Sequence, residues 1–457
     1  MVSFILPWNS ATGSYEVANS CRFNSGSTDH LDRTFGSAGN RRTFTVSFWL
    51  KTTTKETYNT IFDSGADGSN SDDIYFHTGR LNFSGYYGST QFMLRTKAKY
   101  RDPSAWTHFV VAFDTTQSTA SNRLKMYANG TQITEFDDET YPSQNFQTSY
   151  MNLDRLHNIG TLTDGDNFPL DGYLAEMVFI DGQALDPTSF GEFDSDSPNI
   201  WKPINVSGLT FGTNGFYLDF ENSSSLGADQ SGNSNDFTAR NLTSVDQSTD
   251  TCTNNFATAN PLIANSNVEY SDGNLNTYHT YAGQWRSTIS TIGASSGKWY
   301  AEYKISAVGT EVSVGNCDVT TITQTSANDF IGEFTDSVGY VNSGSIYKAN
   351  SVAQGSLTTY TANDIIGIAM DLDNNTIQFY KNGSAIGTTT SLTADKTYAF
   401  GAAGYGDARI LWNIGSPSFS ISSGNSDANG YGNFEYSPTI GGVNYYALNT
   451  KNLAEFG

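Results

Sequence analysis

The chain has 457 residues, a formal net charge of −22 and a pI near 4.4. This balance opposes direct binding to nucleic acid or to an anionic membrane, because phosphate neutralisation needs clustered Lys and Arg and the 24 basic residues are scattered. Forty-three Gly, 14 % aromatics, only 15 % charged residues and no sustained 3.6-residue period describe short strands joined by neutral polar turns, an all-β chain whose length suits two to four domains.

Taken in order, the first strong element is a strand in which Phe44, Val46, Phe48 and Leu50 alternate with Thr43, Thr45, Ser47 and Trp49. Asp102-Pro103-Ser104-Ala105-Trp106 turns the chain into the segment from His108 to Ile133. There Phe109, Val111 and Phe113 share one face, Leu124 and Met126 lie inward on the partner strand, and Asn129-Gly130 supplies a hairpin turn. Gly172 to Ile180 reads as a closing strand, and Asp186-Pro187 as the N-cap and N1 of one helical turn. A first domain is therefore expected over 1–205, followed by a turn-rich connector over 206–265 packed on it.

The second domain is expected over 266–457, with Lys298 to Ile305 and Val312 to Asn316 as strands. Ile365 to Ile386 then repeats the earlier pattern: Ile366, Ile368 and Met370 on one face, Ile377 and Phe379 on the partner strand, and Asn382-Gly383 as the turn. The first copy carries the longer polar turn, where insertions are tolerated. Cys21, Cys252 and Cys317 are too few and too widely spaced for a disulfide framework or a CxxC metal site, and should be buried and reduced. No apolar run approaches a membrane span. Met1 to Trp8 lacks the basic start and long apolar core of a signal peptide, so synthesis and folding in a cytoplasm are expected.

SFWLKT at Ser47 to Thr52, WTHFVVAFD at Trp106 to Asp114 and the YANG hairpin resemble the laminin-G and pentraxin-like branch of the concanavalin A-like lectin/glucanase sandwiches. GKWYAEYKI at Gly297 to Ile305, VSVGN at Val312 to Asn316 and IGIAMDLDNNTIQFYKNG at Ile366 to Gly383 resemble a SPRY domain. SPRY domains are themselves concanavalin A-like, which accounts for the repeated hairpin. Together the resemblances imply two antiparallel β-sandwiches of the jelly-roll kind. Their pairing, with FIDGQALDPTSFGEF at Phe179 to Phe193 and ALNTKNL at Ala447 to Leu453, is similar to virion proteins of tailed bacteriophages, particularly marine ones, called tail-fibre or lectin-like proteins.

Candidate sites follow from both sources. The lectin/glucanase resemblance brings hydrolases with spaced carboxylates on one strand, and Glu135-Phe136-Asp137-Asp138-Glu139 has the spacing. Its polar Asp138 and its place after a hairpin favour a solvated acidic turn. Calcium is the candidate cofactor, with Asp63 to Asp73, Asp164 to Asn167 and Asp371 to Asn375 as oxygen-rich segments that turn chemistry explains equally well. The five histidines lack metal spacing, and no G-x-S-x-G or P-loop occurs, so no enzyme is expected. Trp49, Trp106 and Trp299 read as packing residues. Exposed aromatics beside amides and carboxylates mark ligand loops, which selects Tyr278, Tyr281 and Trp285 with Tyr405, Asp407 and Arg409, and Tyr86-Tyr87 less strongly. The same rings could instead pack between domains or subunits.

The expected function is non-catalytic adhesion of a virion protein to host surface glycan or protein, by several copies acting together. Capsid decoration, binding only other virion subunits, is the alternative; glycan depolymerisation is the third. Homo-oligomerisation on the particle would use sandwich faces or the first twenty residues, since no coiled coil or shaft repeat is present.

Overall fold

The computed structural model describes residues 15–53, 58–67, 69–163, 168–263, 267–280, 282–322 and 329–457. It divides into two compact units, the first ending at Thr253 and the second running over Asn254–Gly457. The protein is almost all β, with a sandwich-like pair of sheets in each unit. Among the described residues the one α-helix is Thr450–Phe456, where the Asn449 side chain accepts a hydrogen bond from the Asn452 N–H as N-cap.

In the first unit one sheet runs, edge to edge, Thr131–Gln132, Leu124–Ala128, Trp106–Asp114, Thr43–Thr52, Gly172–Asp181, Ser20–Phe23 and Gln247–Ser248, with Phe216–Leu218 also paired to Gly172–Asp181. The second runs Phe136–Thr140, Thr90–Thr96, Arg80–Tyr87, Asn70–His77, Asn59–Asp67, Leu156–Ile159, His30–Thr34 and Thr238–Arg240. Each is an open path with two edges. Between them lie Phe44, Val46, Phe48, Phe109, Val111 and Phe113 from one sheet and Phe62, Ile74, Phe76, Leu81, Phe83 and Leu94 from the other, the alternation required when one face of each strand is buried. Residues 206–253, read from the sequence as connector, supply strands to both sheets.

The second unit has a sheet in the order Val268–Ser271, Asn276–His279, Ala408–Asn413, Lys298–Ala307, Ile365–Asp371, Thr376–Lys381 and Ser384–Ser391, with the short strand Tyr446–Ala447 lying parallel to Lys298–Ala307. Its partner sheet runs Arg286–Ile289, Tyr398–Tyr405, Glu311–Asp318, Ser337–Val341, Ser345–Lys348 and Ser351–Gln354. Ile366, Ile368, Met370, Ile377 and Phe379 all join the core. Trp49, Trp106 and Trp299 are buried, as their strand positions require, and Cys21 and Cys317 are buried free thiols while Cys252 is half-buried.

The repeated hairpin is the same device in both units. Asn129 and Gly130 have φ of 44° and 76°, and Asn382 and Gly383 have φ of 48° and 78°, the positive pair that a type I′ turn needs. In each copy the Asn also reaches the strand on its other side. Asn129 Oδ1 accepts from the His108 N–H and its own N–H donates to the His108 carbonyl; Asn382 does the same with Ile365. A Cβ on Gly130 would meet Trp201 at 2.3 Å, and one on Gly383 would meet Tyr436 at 2.6 Å, so an aromatic ring covers both turns.

Candidate functional site

The outer face of the second sheet of the first unit carries a groove of about 350 Å³. Its floor follows from the two-residue period: Ser71, Asp73 and Tyr75 project outward from one strand while Ile74 and Phe76 enter the core, and Ser84 and Tyr86 project from the next. Register sets Asp73 opposite Ser84 on one side and opposite Asp63 on the other. Tyr58, Leu162 and Phe168 build the wall. Phe168 sits at φ 54°, a left-handed conformation that costs an aromatic residue energy, and its carbonyl accepts from the Thr60 N–H. That conformation carries the ring out onto the groove rim.

Several rings cluster at the groove. Tyr58 stacks on His77 with centroids 4.0 Å apart and lies 5.2 Å from Tyr75 and 4.6 Å from Phe168; Tyr87 and Tyr150 form a separate pair 6.1 Å apart, with the Arg155 guanidinium over Tyr150. Tyr58, Tyr86 and Phe168 are 36–44 % exposed, an unusual state for large rings and one that ligand platforms need.

Carboxylates lie beneath this surface. Ser71 Oγ donates to Asp73 Oδ1 at 2.8 Å, and burial, reinforced by Asp72 and opposed by the Ser71 and Ser84 hydroxyls, pushes Asp73 up to about 7. Asp63 is fully buried and raised by burial and by Asp73; one oxygen accepts from the Thr163 hydroxyl, the other has no hydrogen-bond partner. Asp72 faces the interior, accepts from the Tyr150 and Met151 N–H groups, and is raised by burial to about 6. The segment Asp63 to Asp73 was expected as an oxygen-rich loop. Its described residues form two paired strands instead, because cross-strand pairing and the inward Ile74 and Phe76 override the turn preference of its Asp, Ser and Gly.

Among the described residues no group of three or more His, Cys, Asp or Glu is arranged to hold a metal ion. Asp164 to Asn167 lie outside the described residues. In the third oxygen-rich segment Lys298 bridges Asp371 and Asp373 at 2.9 and 2.7 Å. The Glu135 to Glu139 segment lies largely in an edge strand, not a turn, and its carboxylates are individually engaged: Glu135 by Lys97, Asp137 by Arg80 at 2.7 Å, Asp138 by Arg95, and Glu139 by the Tyr141 hydroxyl. A row of ion pairs replaces the acid and nucleophile that a hydrolase would need free.

In the second unit the structure joins most of the residues singled out from sequence. Tyr278 and Arg409 are cross-strand partners; the Tyr278 hydroxyl donates to Asp407 Oδ1 at 2.9 Å, and the Arg409 guanidinium lies 3.8 Å from the Tyr278 ring centre. Asp407 occupies the hairpin turn with φ 55° after Gly406 at 63°. Trp285 lies 5.9 Å from Tyr405 and 5.2 Å from Phe330, whose ring meets Tyr347. Tyr281 lies outside the described residues. The Tyr278 ring and hydroxyl are thus already occupied by Arg409 and Asp407. The groove of the first unit is the more open platform, and of its residues only Tyr86 and the Asp63 to Asp73 run carried a sequence signal.

Comparison with known families accords with this geometry. The family model described as the concanavalin A-like lectin/glucanases superfamily matches residues 25–188, and that of the SPRY domain matches residues 298–409. The chain therefore carries a concanavalin A-like lectin domain followed by a SPRY domain. Similar solved structures include the SPRY domain of human HERC1 (19 % identity, 34 % of this chain and 96 % of that chain, TM-score 0.28) and the TRIM65 PSpry domain (13 %, 34 % and 88 %, TM-score 0.29). Stonustoxin is matched over 34 % of this chain and 27 % of its own, at 19 % identity and TM-score 0.29. No curated protein matches the chain.

Proposed function

We propose that the protein is a non-catalytic adhesin on the virion of a tailed bacteriophage, and that its lectin-like domain holds host surface glycan in the Tyr58–Phe168 groove. One observation carries the glycan reading: three exposed rings surround a groove whose floor offers hydroxyls and a carboxylate. That pairing suits a sugar, whose apolar C–H face stacks on aromatic rings while its hydroxyls need fixed polar partners. The second, SPRY domain offers Trp285, Tyr405 and the Tyr278 cluster as a contact surface for host protein or neighbouring virion subunits. Support for the virion comes from the phrase-level resemblance and the weakly charged composition, and several copies on a particle would turn weak sites into avidity.

Glycan binding by the full chain, with and without chelator, tests the reading; Tyr58→Ala should abolish it, and loss on chelation would assign calcium to the site. Absence of binding to any host polysaccharide would refute it. Labelled antibody on intact particles tests the location, and signal confined to the head would replace adhesion with capsid decoration.

A further inference from the structure

We propose that the groove selects an amino sugar with a free ammonium group, the sugar ring lying over Tyr58 and Phe168 and the ammonium on the Asp73 carboxylate. The inference rests on the glycan reading above and names the class of sugar.

Asp73 is the charged side chain of the groove lining, and it is half-buried because it opens onto the groove. Its interactions are with the Ser71 and Ser84 hydroxyls and with another carboxylate, Asp72; no cation among the described residues stabilises it. Among the described groups Arg95 acts on Tyr75 and His77, and Arg80 on His77, but neither is among the groups acting on Asp73. Asp63 stands opposite on one neighbouring strand, Ser84 on the other, and Tyr58 and Tyr75 lie on its own side. The guanidinium groups of Arg80 and Arg95, on the adjoining strands, are drawn to Asp137 and Asp138 on the edge strand. His77, stacked on Tyr58, is held below its usual range by burial and by Arg95 and Arg80, which keeps its ring neutral. Among the described residues this carboxylate meets no counter-charge, and an incoming ammonium would supply one.

The rings favour the same ligand. Tyr58, Tyr75, Tyr86 and Phe168 line the groove, and a cation over an aromatic face is attracted by its quadrupole. A carboxylate-bearing or sulfated sugar would meet Asp73 with like charge. An N-acetylated sugar would keep the stacking but lose the ion pair.

The test compares three matched β1,4-disaccharides titrated into the full chain at pH 7 in the presence of chelator: di-glucosamine, its N,N′-diacetyl form, and cellobiose. The free amine should bind about tenfold more tightly than either neutral sugar, a step of about 1.4 kcal/mol. Its advantage should fall on both sides of neutrality, as Asp73 takes up a proton on one side and the amine loses its own on the other. In Asp73→Asn the three affinities should converge to within about twofold. Equal affinities in the unmodified chain, or a preference that survives Asp73→Asn, would overturn the inference and leave glycan binding standing. Amine binding that appears only when calcium replaces chelator would also overturn it, since the metal would then be the counter-charge. Failure of all three sugars, with Tyr58→Ala no different, would overturn this inference and refute a disaccharide-binding groove as well.

Discussion

Glu302, fully buried on the strand Lys298–Ala307, fastens the late segment of the second unit to its main sheet. Oε2 accepts from the Glu435 N–H at 2.9 Å and from Asn413 Nδ2 at 3.1 Å; Oε1 accepts from the Tyr436 N–H at 2.7 Å and the Tyr300 hydroxyl at 3.3 Å. Four donors converge on one carboxylate. Glu302→Gln keeps the shape but turns one acceptor into a donor. The amide could face Tyr300, whose hydroxyl can rotate to accept, yet the Tyr436 N–H would then point at an NH₂. Leaving a buried N–H without a partner costs about 1–3 kcal/mol, and exchanging a charged acceptor for a neutral one adds to it. Relief of the buried charge offsets part, so a net loss of about 2 kcal/mol is expected. Calorimetry of the full chain reads this as a downward shift of the transition of the second unit, with the transition of the first unit unmoved. A Glu302→Gln protein as stable as its parent would refute the claim that these four donors need two acceptor oxygens.

Other outcomes can be checked on the same material. Burial, against the Glu435 and Tyr436 N–H groups, raises Glu302 to about 7, so its contribution to stability is complete below the unfolded value near 4.5 and fades as pH rises through 7. His108 has the opposite sign: burial lowers it to about 3, its Nδ1 accepts from Trp201 Nε1, and stability present above the unfolded pKa near 6.5 falls by up to about 1.4 kcal/mol per pH unit on acidification towards 3. Acid titrations of His108→Gln should show a shallower slope over that range. Phe168→Gly should relieve the left-handed strain, leaving the unfolding midpoint level or raised while glycan binding disappears. Gly130→Ala should destabilise by about 2 kcal/mol or more through its clash with Trp201 and its positive φ, as read by urea titration.

The cores were legible because a strand with one buried face writes its alternation into the sequence. Phe109, Val111 and Phe113, and Ile366, Ile368 and Met370, lie where the two-residue period puts them, and both Asn-Gly turns close their hairpins. The period tells inward from outward and no more. It cannot say which outward residues a distant segment will wall in, and the groove pairs Asp73 and Tyr75 with Phe168, on a segment far along the chain. The aromatic loops of the second unit were legible as a cluster, but not their mutual satisfaction: Arg409 and Asp407 take up the Tyr278 ring and hydroxyl that composition marked as available. The strand at Phe216–Leu218 was legible from its apolar run, whereas that at Thr238–Arg240 was hidden by the polar residues around it, and pairing with His30–Thr34 rather than local preference makes it a strand.

The clasped Asn-Gly turns also bear on how the protein ages. An Asn followed by Gly is the pair at which the next backbone nitrogen most readily attacks the side-chain amide, closing a succinimide and ending as aspartate or isoaspartate. Attack requires the amide to swing towards that nitrogen, whereas Asn129 Oδ1 is held by the His108 N–H and Asn382 Oδ1 by the Ile365 N–H. Trp201 and Tyr436 lie over the glycines and limit the room for ring closure. The same pair recurs at Asn214-Gly215 and Asn429-Gly430, and there the amide nitrogen is tied instead, Asn214 to the Ser37 carbonyl and Asn152, Asn429 to Asn452 and Glu455. The sites most prone to slow chemical decay are thereby restrained by the same bonds that close the turns.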